Sequence, residues 1–367
     1  MSSDRYFINM TINIYTFMLS SILILLWVGY MTNRALLGFS PISDEVFYIN
    51  SNIADQSKRI YFLSFVQFFS SFYNAVIAVA FVNIALLVIS FKLLIRINCN
   101  NHTASFFHLI YFCAIAAYLF RDTIILFLVV SIIYLIFERR YIQRVRINLS
   151  GLGGVSAIVL LLLLLIDFRP QYFYFILISF VLAKIATKLS NLALVVFSVL
   201  ILSVVLFVIE NILNSFSIYG ISLYEFIGTR VDKNSMDISP FSLSVSYIKH
   251  FFAPLPTSLI ERFIYEGNLA VYYAIDDIYR LVYKTFIYII SIYIVINISK
   301  LKFVLNRWRG EFFFLLSFSL LNSFMYTMFL FGGGHERTKV FSVFFIVFLF
   351  CAISKIKNEV SDELSVG

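Results

Sequence analysis

Long apolar stretches alternate along the chain with short breaks rich in Lys, Arg, Asp and Asn. The stretches are too long for buried strands and lack the period-two alternation of half-buried ones. A helix needs about 20 apolar residues to cross the hydrocarbon of a bilayer. On that measure the pattern predicts an all-α polytopic membrane protein of about ten transmembrane helices. They fall over 7–30, 71–94, 104–120, 122–137, 152–166, 171–187, 191–213, 285–299, 311–331 and 340–354.

Two breaks are long. One, over 31–70, has about 40 residues, and the other, over 214–284, has about 70. Long loops in compact proteins usually carry function. The larger is too apolar for a disordered linker. Within it the stretch 257–284 reads as mostly helical, because Leu259, Phe263, Ile264, Ile275, Ile278 and Leu281 recur at helical spacing. Asp276 and Arg280 stand four residues apart, a favourable helical ion-pair spacing. The expectation is of amphipathic helices lying on the outer membrane surface and leading into the eighth span. Residues 1–367 form a single integral membrane domain on this reading.

Composition removes the soluble alternative. Of the 367 residues, 61% are hydrophobic and 13% charged, with a mean hydropathy of +0.92. A soluble domain is about 45–50% apolar and about 25% charged. The net charge of +8 does not call for nucleic acid. The basic residues lie beside spans, where they set orientation. The first apolar run reads as a retained signal anchor, because no small-residue cleavage site follows it before Arg34.

Sidedness follows from those basic residues. With both termini cytoplasmic, the inside segments carry 15 Lys and Arg, including Arg139, Arg140, Lys184, Lys188, Arg307, Arg309, Lys355 and Lys357. The short outside loops carry four, namely Arg121, Arg169, Arg337 and Lys339. All five prolines, Pro41, Pro170, Pro240, Pro254 and Pro256, fall in segments assigned outside.

Charge at or near membrane depth points to function, unless it only snorkels to the boundary. Four groups stand out. The segment GGGHERTK, 332–339, packs His335, Glu336, Arg337 and Lys339 into a short outside loop whose glycines let a ligand approach the backbone. Arg121 and Asp122 sit at a hairpin tip, where the bland alternative is a turn that neutralises itself. Arg169 lies in DFRPQY, 167–172, with the same alternative. The large loop adds Arg230, Asp232, Asp237, His250, Arg262, Asp277 and Arg280, each of which alone reads as a solvated loop charge. His108, inside an apolar span, reads as a packing histidine. Cys99, Cys113 and Cys351 read as isolated small hydrophobes with no disulfide or metal pattern. The N-x-S/T matches at Asn9, Asn101 and Asn148 read as chance.

Arginine grips phosphate oxygens in pairs and stays charged at any working pH. A carboxylate or histidine beside it can take a proton from a sugar hydroxyl. Cations steady the charge on a departing diphosphate. These parts fit a metal-free glycosyl transfer from a lipid diphosphate. No Gly-rich nucleotide loop is present, in keeping with a donor that is not a nucleotide-sugar.

The span number, the large late outside loop, FFAPLP at 251–256 and the arginine-bearing HERTK at 335–339 resemble the O-antigen polymerases of the Wzy type. The resemblance lies in layout across most of the chain rather than in a diagnostic motif. It implies an enzyme of the bacterial inner membrane that polymerises undecaprenyl-diphosphate-linked repeat units at the periplasmic face, in lipopolysaccharide O-antigen biosynthesis. It implies diphosphate-binding roles for Arg337, Arg280, Arg262, Arg230, Arg169 and Arg121, and a general base among His335, Glu336, Asp232 and Asp277. The partners implied are lipid-linked oligosaccharides, membrane lipids and a chain-length regulator, with no nucleic acid, cofactor or metal. The alternatives are a flippase for the same lipid-linked unit and another membrane transferase such as an O-acyltransferase, for which His108 is the candidate.

Overall fold

Runs of Leu, Ile, Val and Phe with no internal breaker satisfy their backbone groups only as helix once water is excluded. The computed structural model describes residues 48, 60–69, 72–116, 121–139, 152–189, 217–218, 221–222, 252, 255–265, 271–330 and 336–366. Helices α1 (Ile60–Gln67), α2 (Phe72–Ile97), α3 (His102–Ala116), α4 (Asp122–Glu138), α5 (Leu152–Phe168) and α6 (Pro170–Lys188) come first. Then follow α7 (Pro256–Tyr265), α8 (Val271–Ile296), α9 (Leu301–Leu330), α10 (Glu336–Ser342) and α11 (Phe344–Val366). The regular structure among the described residues is helical, apart from β1 (Ser217–Ile218) and β2 (Ile221–Ser222). These two pair antiparallel, with Ser217 opposite Ser222.

Three described helical segments are long and apolar enough to cross a membrane: Ile77–Ile97, Pro170–Lys188 and Ile278–Ile296. The shorter Gly153–Phe168 is apolar as well. Lipid-facing character shows in side chains left outside the bundle, such as Leu160, Leu163, Tyr174, Ile289, Ile292 and Val295. Water would not tolerate so large a contiguous apolar surface. The spans expected over 7–30 and 191–213 lie outside the described residues, as do most of the two long loops.

The eighth span differs from expectation at its start. A lysine at 284 reads as the end of a loop. Instead α8 is one continuous helix of 26 residues, about 39 Å at 1.5 Å per residue. The segment 300–310, expected as a connecting loop, is also helical. A 3-10 turn over Ile298–Lys300 leads into α9, and a kink at Trp308 (φ −127°, ψ 39°) separates a short first portion from the rest of that helix. Arg307 lies over the Trp308 ring at 4.7 Å, and the Lys355 ammonium reaches the same ring at 5.9 Å. Those cation–π contacts give the charged residues a place in helix rather than in loop.

α6 and α9 form the tightest pair, and α9 also holds α10 and α11. On the other side α2 packs on α3 and α4, α4 on α5, and α3 on α8. Lipid offers helices little hydrophobic reason to associate, so packing shape and interhelical hydrogen bonds hold them. Aromatic rings fill the seams. Tyr172 meets Phe341 at 4.7 Å, Phe312 meets Phe345 at 4.9 Å, and Phe107 stacks on Phe286 at 5.3 Å. Asn322, fully buried, donates to Ser342 Oγ at 2.6 Å, and Ser319 Oγ accepts the Phe345 amide at 3.2 Å. The second bond serves a backbone donor in the first turn of α11, beside the break after α10.

Candidate functional site

Two of the sequence-predicted charge groups meet at one end of the bundle. α5 ends at Phe168, Arg169 takes an extended conformation (φ −159°, ψ 90°), and Pro170 opens α6. Proline suits the first helical position, and it pushes the preceding residue out of helical geometry. The chain therefore turns sharply with almost no loop. The Phe168 carbonyl is one of the acceptors a helix leaves unsatisfied at its C-terminus. Arg121, just ahead of α4, donates to it at 2.6 Å.

Arg169 in turn donates to Asp122 Oδ1 at 3.4 Å, so the clasp is reciprocal across 47 residues. Each charge stands where a helix dipole favours it: the Arg121 cation at the end of α5, the Asp122 carboxylate in the first turn of α4. Arg121 and Asp122 are both only 5% exposed. Asp122 thus pairs with the arginine of the other turn. The Phe168 ring also meets Phe62 of α1 at 6.4 Å, which closes the clasp from the side.

A second group lies beside it, around α3. Arg280 on α8 sits over the Tyr111 ring at 5.8 Å, and Tyr283 stacks on the same ring at 6.1 Å. One turn away on α3, His108 Nε2 lies 3.3 Å from the Val340 carbonyl, in the α10 segment. The same imidazole stands edge-on to Phe344 at 4.6 Å. With Nε2 donating to a backbone carbonyl inside a fully buried aromatic seam, His108 does the work of a packing residue. Phe112 contacts Phe341, and Phe341 contacts Tyr172 at the start of α6, which links this group to the arginine clasp.

Two buried cations belong here as well, Lys339 from the GGGHERTK group and Lys284, which the sequence reading passed over. Lys284 follows Tyr283 on α8 and is 1% exposed, and Lys339 precedes Val340 on α10 and is 2% exposed. Arg280 and Lys284 both fall inside the part of α8 apolar enough to span, Ile278–Ile296. The signal was present in the sequence. Arg280, Lys284, Ile287 and Ser291 recur at steps of four, three and four in an apolar run, which places two cations on one helical face.

The other predicted residues are placed less fully. Glu336 and Arg337 lie on α10, Asp277 on α8 and Arg262 on α7, with their side chains outside what is described. His335, Asp232 and Arg230 fall outside the described residues altogether. Among the described residues, no three His, Cys, Asp or Glu come together to hold a metal.

The opposite end of the bundle has a different character. Arg309 donates to the Ala186 carbonyl at 2.9 Å and the Leu189 carbonyl at 2.6 Å, capping α6. Arg307 pairs with Glu359. Lys357 lies over Tyr293 at 5.9 Å. A cavity of about 350 Å³ lined by Tyr134, Leu135, Glu138 and Arg139 stands at the far end of α4 from Asp122. Comparison with known proteins found no matching family model, no matching curated protein and no matching solved structure.

Proposed function

We propose that this chain is a membrane glycosyltransferase of the O-antigen polymerase kind, joining undecaprenyl-diphosphate-linked repeat units at the periplasmic face of a bacterial inner membrane. One observation carries the reading. Arg121, Arg169, Arg280, Lys284 and Lys339 lie on elements packed together at one end of a helical membrane bundle, while Arg307, Arg309, Lys355 and Lys357 mark the other. The charge bias of the short loops assigns the first end to the periplasm.

In this reaction an acceptor sugar hydroxyl attacks the anomeric carbon of the growing chain. The bond from that carbon to the diphosphate oxygen breaks, and the diphosphate leaves on its lipid. The hydroxyl proton goes to one of His335, Glu336, Asp232 or Asp277. Arginine and lysine steady the charge on the leaving diphosphate, an effect that a low-dielectric site strengthens. Arg121 and Asp122 serve by holding the turns in place, since both are engaged and buried. Arg169, Arg280 and Arg337 are the arginines assigned to the diphosphate.

A deletion strain tests the proposal on a lipopolysaccharide gel. Cores capped by a single repeat unit are expected. Complete loss of O-antigen would make the chain a flippase. An intact ladder lacking an acetyl group would make it an acyltransferase, a role His108 is poorly placed to serve. Sidedness has its own test. A cysteine placed at position 335 is expected to react with a membrane-impermeant maleimide in intact spheroplasts, and protection there until permeabilisation would overturn the orientation.

A further inference from the structure

We propose that the hairpin turn between α8 and α9, residues 298–307, lies in the headgroup layer of the membrane and binds anionic phospholipid through Lys300 and Lys302. The site stands at the end of the bundle away from the arginine clasp, and it needs no step of polymerisation.

Placement is the first argument. The apolar part of α8 ends at Ile296. Asn297 closes the helix there, its side-chain amide donating to the Tyr293 carbonyl at 2.9 Å and its backbone amide to the same carbonyl at 3.1 Å. The 3-10 turn over Ile298–Lys300 follows at once, and past the Trp308 kink α9 packs against α6. Arg309 ties that kink to the Leu189 carbonyl at 2.6 Å, one residue beyond the apolar stretch Pro170–Lys188. The turn is thus bounded on both sides by the ends of helices that can span. A segment so bounded sits where hydrocarbon gives way to headgroups.

The two faces of the segment are the second. Val304 is buried, and Leu301, Leu305 and Trp308 pack with it against the core, at the spacing of one helical face. Lys302, Phe303 and Asn306 are exposed on the other face. Phe303 is 54% exposed and Ile298 is 55% exposed, and both stand close to lysines in the chain. At a hydrocarbon boundary this composition makes an interfacial anchor. The ring and the isoleucine enter the acyl edge, and the ammonium groups reach up to the phosphates.

Charge is the third. From 298 to 309 the chain carries Lys300, Lys302, Arg307 and Arg309 and no carboxylate. Arg307 pairs with Glu359, an ion pair that uses neither lysine. Lys300 lies over the neutral Phe303 ring at 5.8 Å, a contact that positions the ammonium and keeps its charge. Lys355 approaches Trp308 from α11 and adds to the positive field. An anionic headgroup gains from that field, whereas a zwitterionic one does not. A soluble anion would make no use of Ile298 and Phe303, so the occupant is a lipid.

The test titrates the purified full chain, in a neutral maltoside detergent, with phosphatidylglycerol or phosphatidylcholine and reads the lipid adducts by native mass spectrometry. Phosphatidylglycerol is expected to bind the more tightly. Lys300→Gln and Lys302→Gln are each expected to weaken it about fivefold, and the double variant about 25-fold, as one surface cation apiece implies. Lys→Arg at both positions keeps the charge and is expected to bind as the natural chain does. Phe303→Ala is expected to weaken both lipids, since it removes the part that enters the acyl edge. Lys92→Gln removes an exposed cation from α2, outside the segment, and is expected to leave the affinity unchanged. Equal affinity for the two lipids would overturn the proposal, as would an unchanged affinity in the double variant. Equal weakening by Lys92→Gln would mean that net charge, and not this turn, attracts the lipid. Full competition by soluble glycerol phosphate would make the turn a phosphate site and remove the lipid. The repeat-unit ladder of a deletion strain plays no part in these outcomes, so the two proposals stand or fall separately.

Discussion

Arg121 Nη1 donates to the carbonyl oxygen of Phe168 at 2.6 Å, so the turn into α4 closes the end of α5. A carbonyl at a helix C-terminus in lipid has no water to turn to, and a guanidinium aimed at it satisfies the acceptor and the dipole together. The bond fixes where Arg169 and Tyr172 stand, and through Tyr172 it fixes Phe341 of α10. The geometry of the proposed site thus depends on a pair of turns far apart in sequence.

Replacing Arg121 by Met is expected to destabilise the protein by roughly 2 kcal/mol, the cost of losing a buried bond to a charged donor. Arg169→Ala is expected to cost less, at most about 1 kcal/mol, because its side chain is 20% exposed and its contact with Asp122 is 3.4 Å. Thermal unfolding in detergent compares the two. An Arg169 variant less stable than the Arg121 variant would mean that the ion pair, and not the cap, holds the turns.

Arg309 performs the matching service at the other end, with two bonds to the carbonyls of Ala186 and Leu189. Lysine cannot reproduce a fork that reaches two carbonyls at once. Arg309→Lys is expected to fray the last turn of α6, with a loss of about 1 kcal/mol. Hydrogen exchange over 184–189 is expected to quicken several-fold while exchange over 172–180 is unchanged. Uniform quickening across α6 would point to a global effect instead.

Cys99 gives a pH prediction. Burial pushes its thiol up to about 11, and the neighbouring Lys355 and Arg307 pull it back only in part. The thiolate is the reactive form, so alkylation at pH 7 is expected to be very slow and to rise about tenfold per pH unit toward 10. Lys355→Met removes a favourable cation, which raises the thiol further and slows the reaction at every pH in that range. Rapid labelling of Cys99 by iodoacetamide at pH 7 would contradict this. The same inertness lets a cysteine at position 335 report sidedness in an otherwise natural chain.

The helical character and the grouping of charges could be read from the sequence because both are local. An apolar run has one good backbone solution in lipid, and the turn at Arg169–Pro170 announces itself by its proline. Which charges meet could not be read, since nothing near Asp122 in sequence announces Arg169, 47 residues away, as a partner. Lys284 is not legible as a residue of the span, because a lysine beside an apolar run ordinarily marks its boundary. In the folded chain α8 continues past it, because a helix can bury a cation against other helices where a boundary rule allows only lipid or water. Trp308 shows the reverse case. Charges at 307 and 309 suggest a loop, but a ring between them turns the stretch into kinked helix.

Arg280 offers the sharpest test of how the proposed site works. Its guanidinium lies over Tyr111 at 5.8 Å, held by a ring that belongs to another helix. If Arg280 contacts the diphosphate, Arg280→Ala shortens the repeat-unit ladder, with a loss of polymerising rate of roughly thirtyfold, the equivalent of about 2 kcal/mol. Arg337→Ala is expected to shorten it as well. Tyr111→Leu removes the platform and leaves the charge, so a smaller loss follows, of about fivefold, from a cation–π contact worth about 1 kcal/mol. Tyr111→Phe keeps the ring face and is expected to behave as the natural chain. Arg307→Ala, at the far end of the bundle, removes a cation of the same kind and is expected to leave ladder length unchanged. Equal shortening by Arg307→Ala and Arg280→Ala, at matched protein levels in the membrane, would mean that position along the bundle does not matter, and the diphosphate would have to be placed elsewhere.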